Sequence, residues 1–449
     1  MGLRQKSGMS LIVVLLAAVA VLIPKLGATF TLAGTSSGSS SSGHPVTPTS
    51  AGFSYGFDLA QQGPYPGGEV TYEKAIASAR RVMSSIPGML YDTSIMDWGL
   101  SDPEPTPGAF NFSGIAGRIR LITSAGGTPV ITLCAAPDWM KDGTGPEVAP
   151  TPAHYHDFAV LAAKIAKAFP QVRYFVVWNE LKGFWNTTAN DWNIGQYTKM
   201  YNDVYTAIKK VRPDALVGGP YVSFSAYAAP RPGNLASTPH GAWGYLDQRA
   251  LDALSFWLAH KAGADFLAVD GLDLPVSGPI TEPLTATKEF AVVDRWLRRR
   301  TSLPIWWMES GLQPINSGWS TRRAAAIRVA ALVRFASSHA RVDLQWQPQD
   351  GEGIPDEGLW TSTAFPSGGQ PTVLARVLPR VLTVLIQPIA LVSGQRSGVL
   401  VARGPGGTIA VNTTVATVTA LINKRLVTLG PGQVRVTLRA HAHDAMVRG

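Results

Sequence analysis

Eight short apolar runs, separated by stretches with helical spacing, constrain this chain more than any other feature. The runs lie at residues 54–58, 89–91, 128–133, 174–179, 216–219, 266–270, 305–309 and 342–346. Amphipathic stretches at 156–168, 194–211, 245–262, 288–300 and 321–338 fall between them. Eight strands alternating with helices over about 330 residues predict an α/β fold, a (β/α)8 TIM barrel. A doubly wound open sheet would usually carry a glycine-rich turn after its first strand. Phe57-Asp58-Leu59 provides none.

The flanks differ in kind. Arg4 and Lys6 precede an unbroken apolar run at 11–23, which Pro24 and Lys25 follow. Such a run is short of the roughly 20 residues that span a bilayer. Residues 1–33 therefore read as a signal peptide, with Thr31-Leu32-Ala33 a cleavage site, or as an uncleaved N-terminal membrane anchor. Both make the protein secreted or cell-envelope associated. The only cysteine is Cys134, so a lipoprotein anchor, an internal disulfide and a cysteine zinc site are excluded. Residues 34–51 form a Ser/Gly-rich linker. It contains Gly34-Thr35-Ser36-Ser37-Gly38, which matches a hydrolase nucleophile elbow in letters but lacks the strand and helix that motif needs.

The barrel is expected over 52–384, closed by a helix at 373–382. A small antiparallel β domain follows over 385–449, its strands separated by turns such as Gly404-Pro405-Gly406-Gly407 and Gly430-Pro431-Gly432. With 45% hydrophobic and 15% charged residues, the chain can bury a large core and is not natively disordered.

Catalytic groups of such barrels sit at the C-terminal strand ends. Glu180 follows Tyr174-Phe175-Val176-Val177-Trp178-Asn179 on strand four, and Glu309 follows Ile305-Trp306-Trp307-Met308 on strand seven. A carboxylate at the end of a buried strand loses hydration and needs partners or a task. The two are 129 residues apart, about 43 per βα unit, so both can point into one mouth. Two carboxyls facing a sugar perform glycoside hydrolysis, one as proton donor and the other as nucleophile or base.

Trp178-Asn179-Glu180 resembles the acid/base signature of the retaining (β/α)8 glycosidases. Asp97-Trp98-Gly99, Pro107-Gly108-Ala109-Phe110-Asn111-Phe112, Pro129-Val130-Ile131-Thr132-Leu133, Ala136-Pro137-Asp138-Trp139-Met140 and Val217-Gly218-Gly219-Pro220 are similar to segments of glycoside hydrolase family 39. That family includes β-xylosidases, α-L-iduronidases and exopolysaccharide endoglycosidases. The resemblance covers about residues 52–365 and implies that Glu180 is the general acid/base, Glu309 the nucleophile, and Asn179 a donor to the sugar 2-hydroxyl. It also implies a retaining double displacement on a polysaccharide or oligosaccharide, with no cofactor. Strand six departs from the family pattern: where a histidine or tyrosine is common, it offers Asp270 or Asp273.

Sugar rings present apolar faces that aromatic side chains cover. Trp98, Trp139, Trp185 and Trp346 lie at or just beyond predicted strand ends and are candidate substrate platforms. Trp306 and Trp307 alternate along strand seven, so one faces the interior and the other the helices. The basic clusters Arg298-Arg299-Arg300 and Arg322-Arg323 sit at helix ends without interleaved aromatics, so no nucleic-acid partner is expected. His154-x-His156 and His441-Ala442-His443-Asp444 lack a third ligand nearby, so no metal is expected. The alternative function is a catalytically silent carbohydrate-binding or envelope scaffold that keeps the barrel and the tryptophans.

Overall fold

The computed structural model describes residues 52–59, 72–86, 88–96, 100–224, 226–230, 239–272, 282–312, 318–349, 358–422 and 425–439. The expected export segment and linker, Asp97, Trp98, Asp273, His441 and His443 lie outside the described residues.

Eight parallel strands close a barrel in strict chain order. They are β1 (Ser54–Asp58), β2 (Leu90–Ser94), β3 (Thr128–Leu133), β4 (Tyr174–Val177), β5 (Leu216–Ser223), β6 (Phe266–Leu272), β7 (Ile305–Gly311) and β8 (Val342–Trp346). The ring closes by pairing β1 with β8, from Ser54 opposite Val342 to Asp58 opposite Trp346. Each strand leads into a helix: α1 (Glu73–Ser84), α2 (Ser113–Ser124), α3 (Tyr155–Ala168), α4 (Ile194–Val211), α5 (Gln248–His260), α6 (Lys288–Arg298), α7 (Thr321–Ser337) and α8 (Val373–Leu385). This is the expected (β/α)8 barrel. Among the described residues, no helix is long and apolar enough to cross a membrane.

Strand side chains alternate between faces, and the interior is filled accordingly. Leu90, Val130, Val176, Phe266, Ala268, Trp306, Met308, Val342 and Leu344 form one enclosed cluster. Gly218 leaves the room that the Phe266 ring takes, because a Cβ there would lie 2.2 Å from it. Trp306 is the inward tryptophan and stacks on Phe266. Trp307 points outward, where its indole N–H donates to Asp294 of α6 at 2.9 Å.

The interior changes from apolar to polar along each strand. On β1 Gly56 is followed by Asp58, on β2 Leu90 by Asp92, on β3 Val130 by Thr132, and on β6 Ala268 by Asp270. By alternation Glu309 should face outward with Trp307. Instead, the register of β7 shifts between Trp307 and Ser310 against both neighbours. This irregularity turns Glu309 into the mouth and sends Ser310 outward. There Ser310 accepts a hydrogen bond from Arg328 of α7 at 2.9 Å. A bulge beside a reactive centre re-aims one side chain without moving the strand.

Beyond α8, strands β9 (Ala390–Leu391), β10 (Val399–Gly404), β11 (Gly407–Asn412) and β14 (Val434–Leu438) form an antiparallel sheet in that order. Strands β12 (Val418–Ile422) and β13 (Arg425–Leu429) form a hairpin. One face of the sheet, with Leu400, Ala402, Ile409 and Val411, joins the main core. The other, with Val399, Val401 and Ala410, packs on Ala420, Ile422 and Leu429 of the hairpin. Two arginines tie the sheet to the barrel helices: Arg323 donates to the Thr413 carbonyl at 2.9 Å and Arg380 to that of Val436 at 2.9 Å.

Candidate active site

The C-terminal mouth of the barrel gathers Asp58, Asp92, Glu180, Asp270 and Glu309, with Lys182 and Glu147 at its edge. Asp58, Asp92, Thr132, Asn179, Lys182 and Glu309 line a cavity of about 40 Å3. Asp270 stands beside Glu180 and exchanges a hydrogen bond with it. Oxygens of Glu180, Asp270 and Glu309 lie within 4.8 Å of one another. A cation could bridge that spacing, but the Lys182 ammonium already sits 2.7 Å from Glu180.

Lys182 reaches Glu180 because of the turn after β4. Trp178, Glu180 and Leu181 all have left-handed backbone, with φ of 70°, 47° and 56°. Such conformations cost energy in non-glycine residues and persist only where surrounding contacts hold them. Here the buried Trp178 indole donates to the Lys182 carbonyl at 2.7 Å. The amide of Lys182 closes the turn on the Asn179 carbonyl at 3.0 Å.

The cluster divides its charge unevenly. Burial opposes ionisation of Glu180, but Lys182 and a hydrogen bond from Asp270 outweigh it and hold the carboxyl below the usual range. Burial would neutralise Lys182, yet Glu180, Glu309 and Glu147 keep it charged. Burial and then the charge of Glu180 push Glu309 up to about 7. Asp58 is raised well above its ordinary value by burial and by the charges of Glu309 and Asp92. Asp92 reaches about 7, chiefly through burial, although it accepts a 2.6 Å hydrogen bond from Thr132. Asp270 is raised well above the ordinary range by burial and by Glu180. Within the cluster Glu180 is thus the acid most readily ionised, and the carboxyls around it hold their protons more tightly than usual. The Tyr221 hydroxyl is directed at Glu309, whose pKa its hydrogen bond lowers, and it feels the charges of Glu309, Asp58, Asp270 and Asp92. One oxygen each of Asp58, Asp92, Asp270 and Asn179 is buried and unpartnered.

These shifts set a stability profile. Asp92, Asp294 (about 7, through burial) and Asp343 (about 6, through burial) all bind protons more tightly folded than unfolded. A raised carboxyl stabilises the fold below its unfolded pKa and ceases to as pH rises through the folded value. Glu180 has the opposite sign, but its window lies below the ordinary carboxylate value. The thermal midpoint should thus be higher at pH 5 than at pH 8 in scanning calorimetry. A midpoint that rises between those two values would contradict the assignment.

Four of the sequence-identified residues, Glu180, Glu309, Asn179 and Asp270, come together in this mouth. Trp346 ends β8 opposite Asp58, half-buried at the rim. Trp139 is engaged in packing: its indole donates to the Glu104 carbonyl at 2.8 Å and meets the His154 ring edge-on. Trp185 stands apart on a short hairpin (Trp185–Asn186 with Asp191–Trp192), 39% exposed. His154 pairs with Asp157 at 2.8 Å. Sequence reasoning missed Asp58, Asp92, Tyr221 and Lys182. Asp58 carried the same signal as the glutamates, an acid at the end of an apolar strand.

Solved structures share this fold. A family 39 glycoside hydrolase from the gut symbiont Bacteroides cellulosilyticus WH2 superposes with a TM-score of 0.57 at 14% identity, over 87% of this chain and 81% of its own. A family 39 β-xylosidase from Caulobacter crescentus gives 0.52 at 16% identity, over 84% and 80%. A β-glycosidase gives 0.51 at 15% identity, over 74% and 96%. No family model and no curated protein matches the chain. At such identities the likeness establishes the barrel architecture.

Proposed function

We propose that the protein is a retaining glycoside hydrolase that cleaves a polysaccharide or oligosaccharide by double displacement. The observation that carries this reading is the pairing of Glu180 and Glu309, with oxygens no more than 4.8 Å apart at the mouth of the barrel. Retaining enzymes place their carboxyls roughly 5–5.5 Å apart, whereas inverting ones leave room for a water. The similarity in fold to family 39 enzymes supports the same class. The basic and then apolar N-terminus supports export, with action outside the membrane.

In this mechanism Glu309 attacks the anomeric carbon while the bond to the leaving oxygen breaks and Glu180 protonates that oxygen. Water then attacks the glycosyl–Glu309 ester, giving its proton to Glu180, and Glu309 is released as carboxylate. The resting charges require one adjustment first: Glu309 must be ionised and Glu180 must hold a proton. Asp270 holds a proton against Glu180, so the general acid is the Glu180–Asp270 pair, with the proton moving across their shared hydrogen bond; the loss of charge on Glu180 lowers Glu309, which gives its own proton to solvent. Departure of the Lys182 ammonium from Glu180 favours that transfer, and substrate entering the cavity that Lys182 lines supplies a reason for it to move.

The test is covalent trapping. Activated 2-fluoro glycosides of xylose, glucose and mannose should inactivate the enzyme, and peptide mapping should find the sugar on Glu309. Label on Glu180 would reverse the two roles. Hydrolysis without any trapped sugar would overturn the double displacement. Glycan binding without hydrolysis or label across the panel would favour the silent scaffold.

A further inference from the structure

A second concavity lies against the acid cleft, on the other side of the loops that carry Glu147 and Lys182. It is a groove of about 350 Å3 lined by Asp142, Tyr155, Phe184, Trp185, Asn193 and Gln196, among others. That volume falls within the roughly 300–1,000 Å3 of ligand clefts. The two spaces share their walls: Glu147 and Lys182 line the cleft, while the next residues in each loop, Val148 and Gly183, line the groove. Gly183 makes this contact possible. Its φ is +76°, and a Cβ there would lie 2.4 Å from the Ala149 amide nitrogen and 2.6 Å from the Glu147 carbonyl.

The lining suits a sugar chain. Trp185 is edge-packed by Trp192 and overlaid by the Arg249 guanidinium at 5.0 Å, which fixes its ring, yet it stays 39% exposed. A large aromatic held rigid at the surface beside amide and hydroxyl side chains presents an apolar plane with hydrogen-bonding groups around it. Asn193 is exposed and makes no helix-capping hydrogen bond. Among the described residues, the Gln196 amide oxygen accepts a single long contact, from the Tyr155 hydroxyl at 3.5 Å. Both amides are available to hydroxyl groups.

We infer that this groove is the subsite for the leaving-group side of the glycan, with Trp185 as its platform, so that the enzyme prefers an extended leaving group to a short one. The direction follows from chemistry. A general acid must touch the leaving oxygen, and the groove opens three residues beyond Glu180. The inference rests on the hydrolase reading and adds to it which end of the substrate lies where.

Trp185→Ala tests it with probes that do or do not reach the groove. kcat/KM is measured on xylohexaose, cellohexaose or mannohexaose, whichever is cleaved, and on the 4-nitrophenyl glycoside of the same sugar. The ratio of the first to the second should fall about tenfold in the variant, mainly through KM, and Gln196→Ala should lower it in the same direction. A ratio that stays within about twofold of wild type overturns the inference while the aryl glycoside result keeps the hydrolase reading intact. If the wild-type protein hydrolyses neither probe, the hydrolase reading fails. Hexasaccharide titration of tryptophan fluorescence then decides the groove: weakened binding in Trp185→Ala retains it as a glycan site, and unchanged binding removes it.

Discussion

Glu309→Ala is expected to lower kcat on an aryl glycoside by at least about ten-thousand-fold, because it removes the atom that forms the covalent intermediate. The loss should leave folding unharmed. Glu309 is half-buried and repelled by Glu180, and truncation relieves that repulsion as well as the burial that raises its pKa. The thermal midpoint of the variant should therefore match or exceed that of wild type. The shortened side chain also leaves room for a small anion at the anomeric carbon. Azide should restore part of the turnover and yield a glycosyl azide of inverted configuration, since a single displacement replaces two. Stable, azide-insensitive protein with wild-type kcat would remove Glu309 from the mechanism. Glu180→Gln should behave differently, losing most on substrates with poor leaving groups, which depend on protonation.

The second large effect concerns stability. Arg328 and Asp343 face each other at 3.6 Å with both side chains fully buried, and Arg328 also donates to Ser310. Removing one partner of such a pair strands a charge in the interior, at about 3–5 kcal/mol. Arg328→Met should lower the denaturant midpoint accordingly, with an unchanged slope. Arg328→Met combined with Asp343→Leu should recover much of that loss, because the stranded carboxylate is gone. A single variant as stable as wild type, or a double variant worse than the single, would contradict this account. Ser310 follows Glu309 directly, so the same substitution should also loosen the bulge that aims Glu309 and reduce kcat in the protein that remains folded.

Much of the barrel was legible because its grammar is local. Apolar runs of three to six residues alternating with helical periodicity located all eight strands, and β1, β3 and β8 begin and end where the runs do. Glu180 and Glu309 were legible as acids at the ends of such runs, and strict alternation separated Trp306 from Trp307. What escaped depends on backbone detail. Glu309 reaches the mouth through a register shift that strand periodicity would have placed on the other face. Lys182 reads as an ordinary loop lysine, and only the left-handed turn through Glu180 and Leu181 folds it back onto the Glu180 carboxylate. The crowding of Asp58, Asp92 and Asp270 around the glutamates is a property of the closed ring, which no single segment displays. The platform tryptophans were ranked by position alone. Position did not distinguish Trp139, engaged by the Glu104 carbonyl, from Trp185, which stands exposed beside its own groove.

The pairing of β1 with β8 joins Ser54 to Val342, so the ring cannot close before the chain as far as β8 is in place. Contacts so distant in sequence make folding slow. Until that last seam forms, Asp58 on β1 is separated from Glu309 on β7 and each carboxyl keeps its ordinary hydration. The seam sets Asp58 beside Glu309, and the protons that these acids hold more tightly in the closed ring come from solvent. Closing the barrel is thus also a proton-uptake event, and the closed ring is favoured more in an acidic medium than in neutral water.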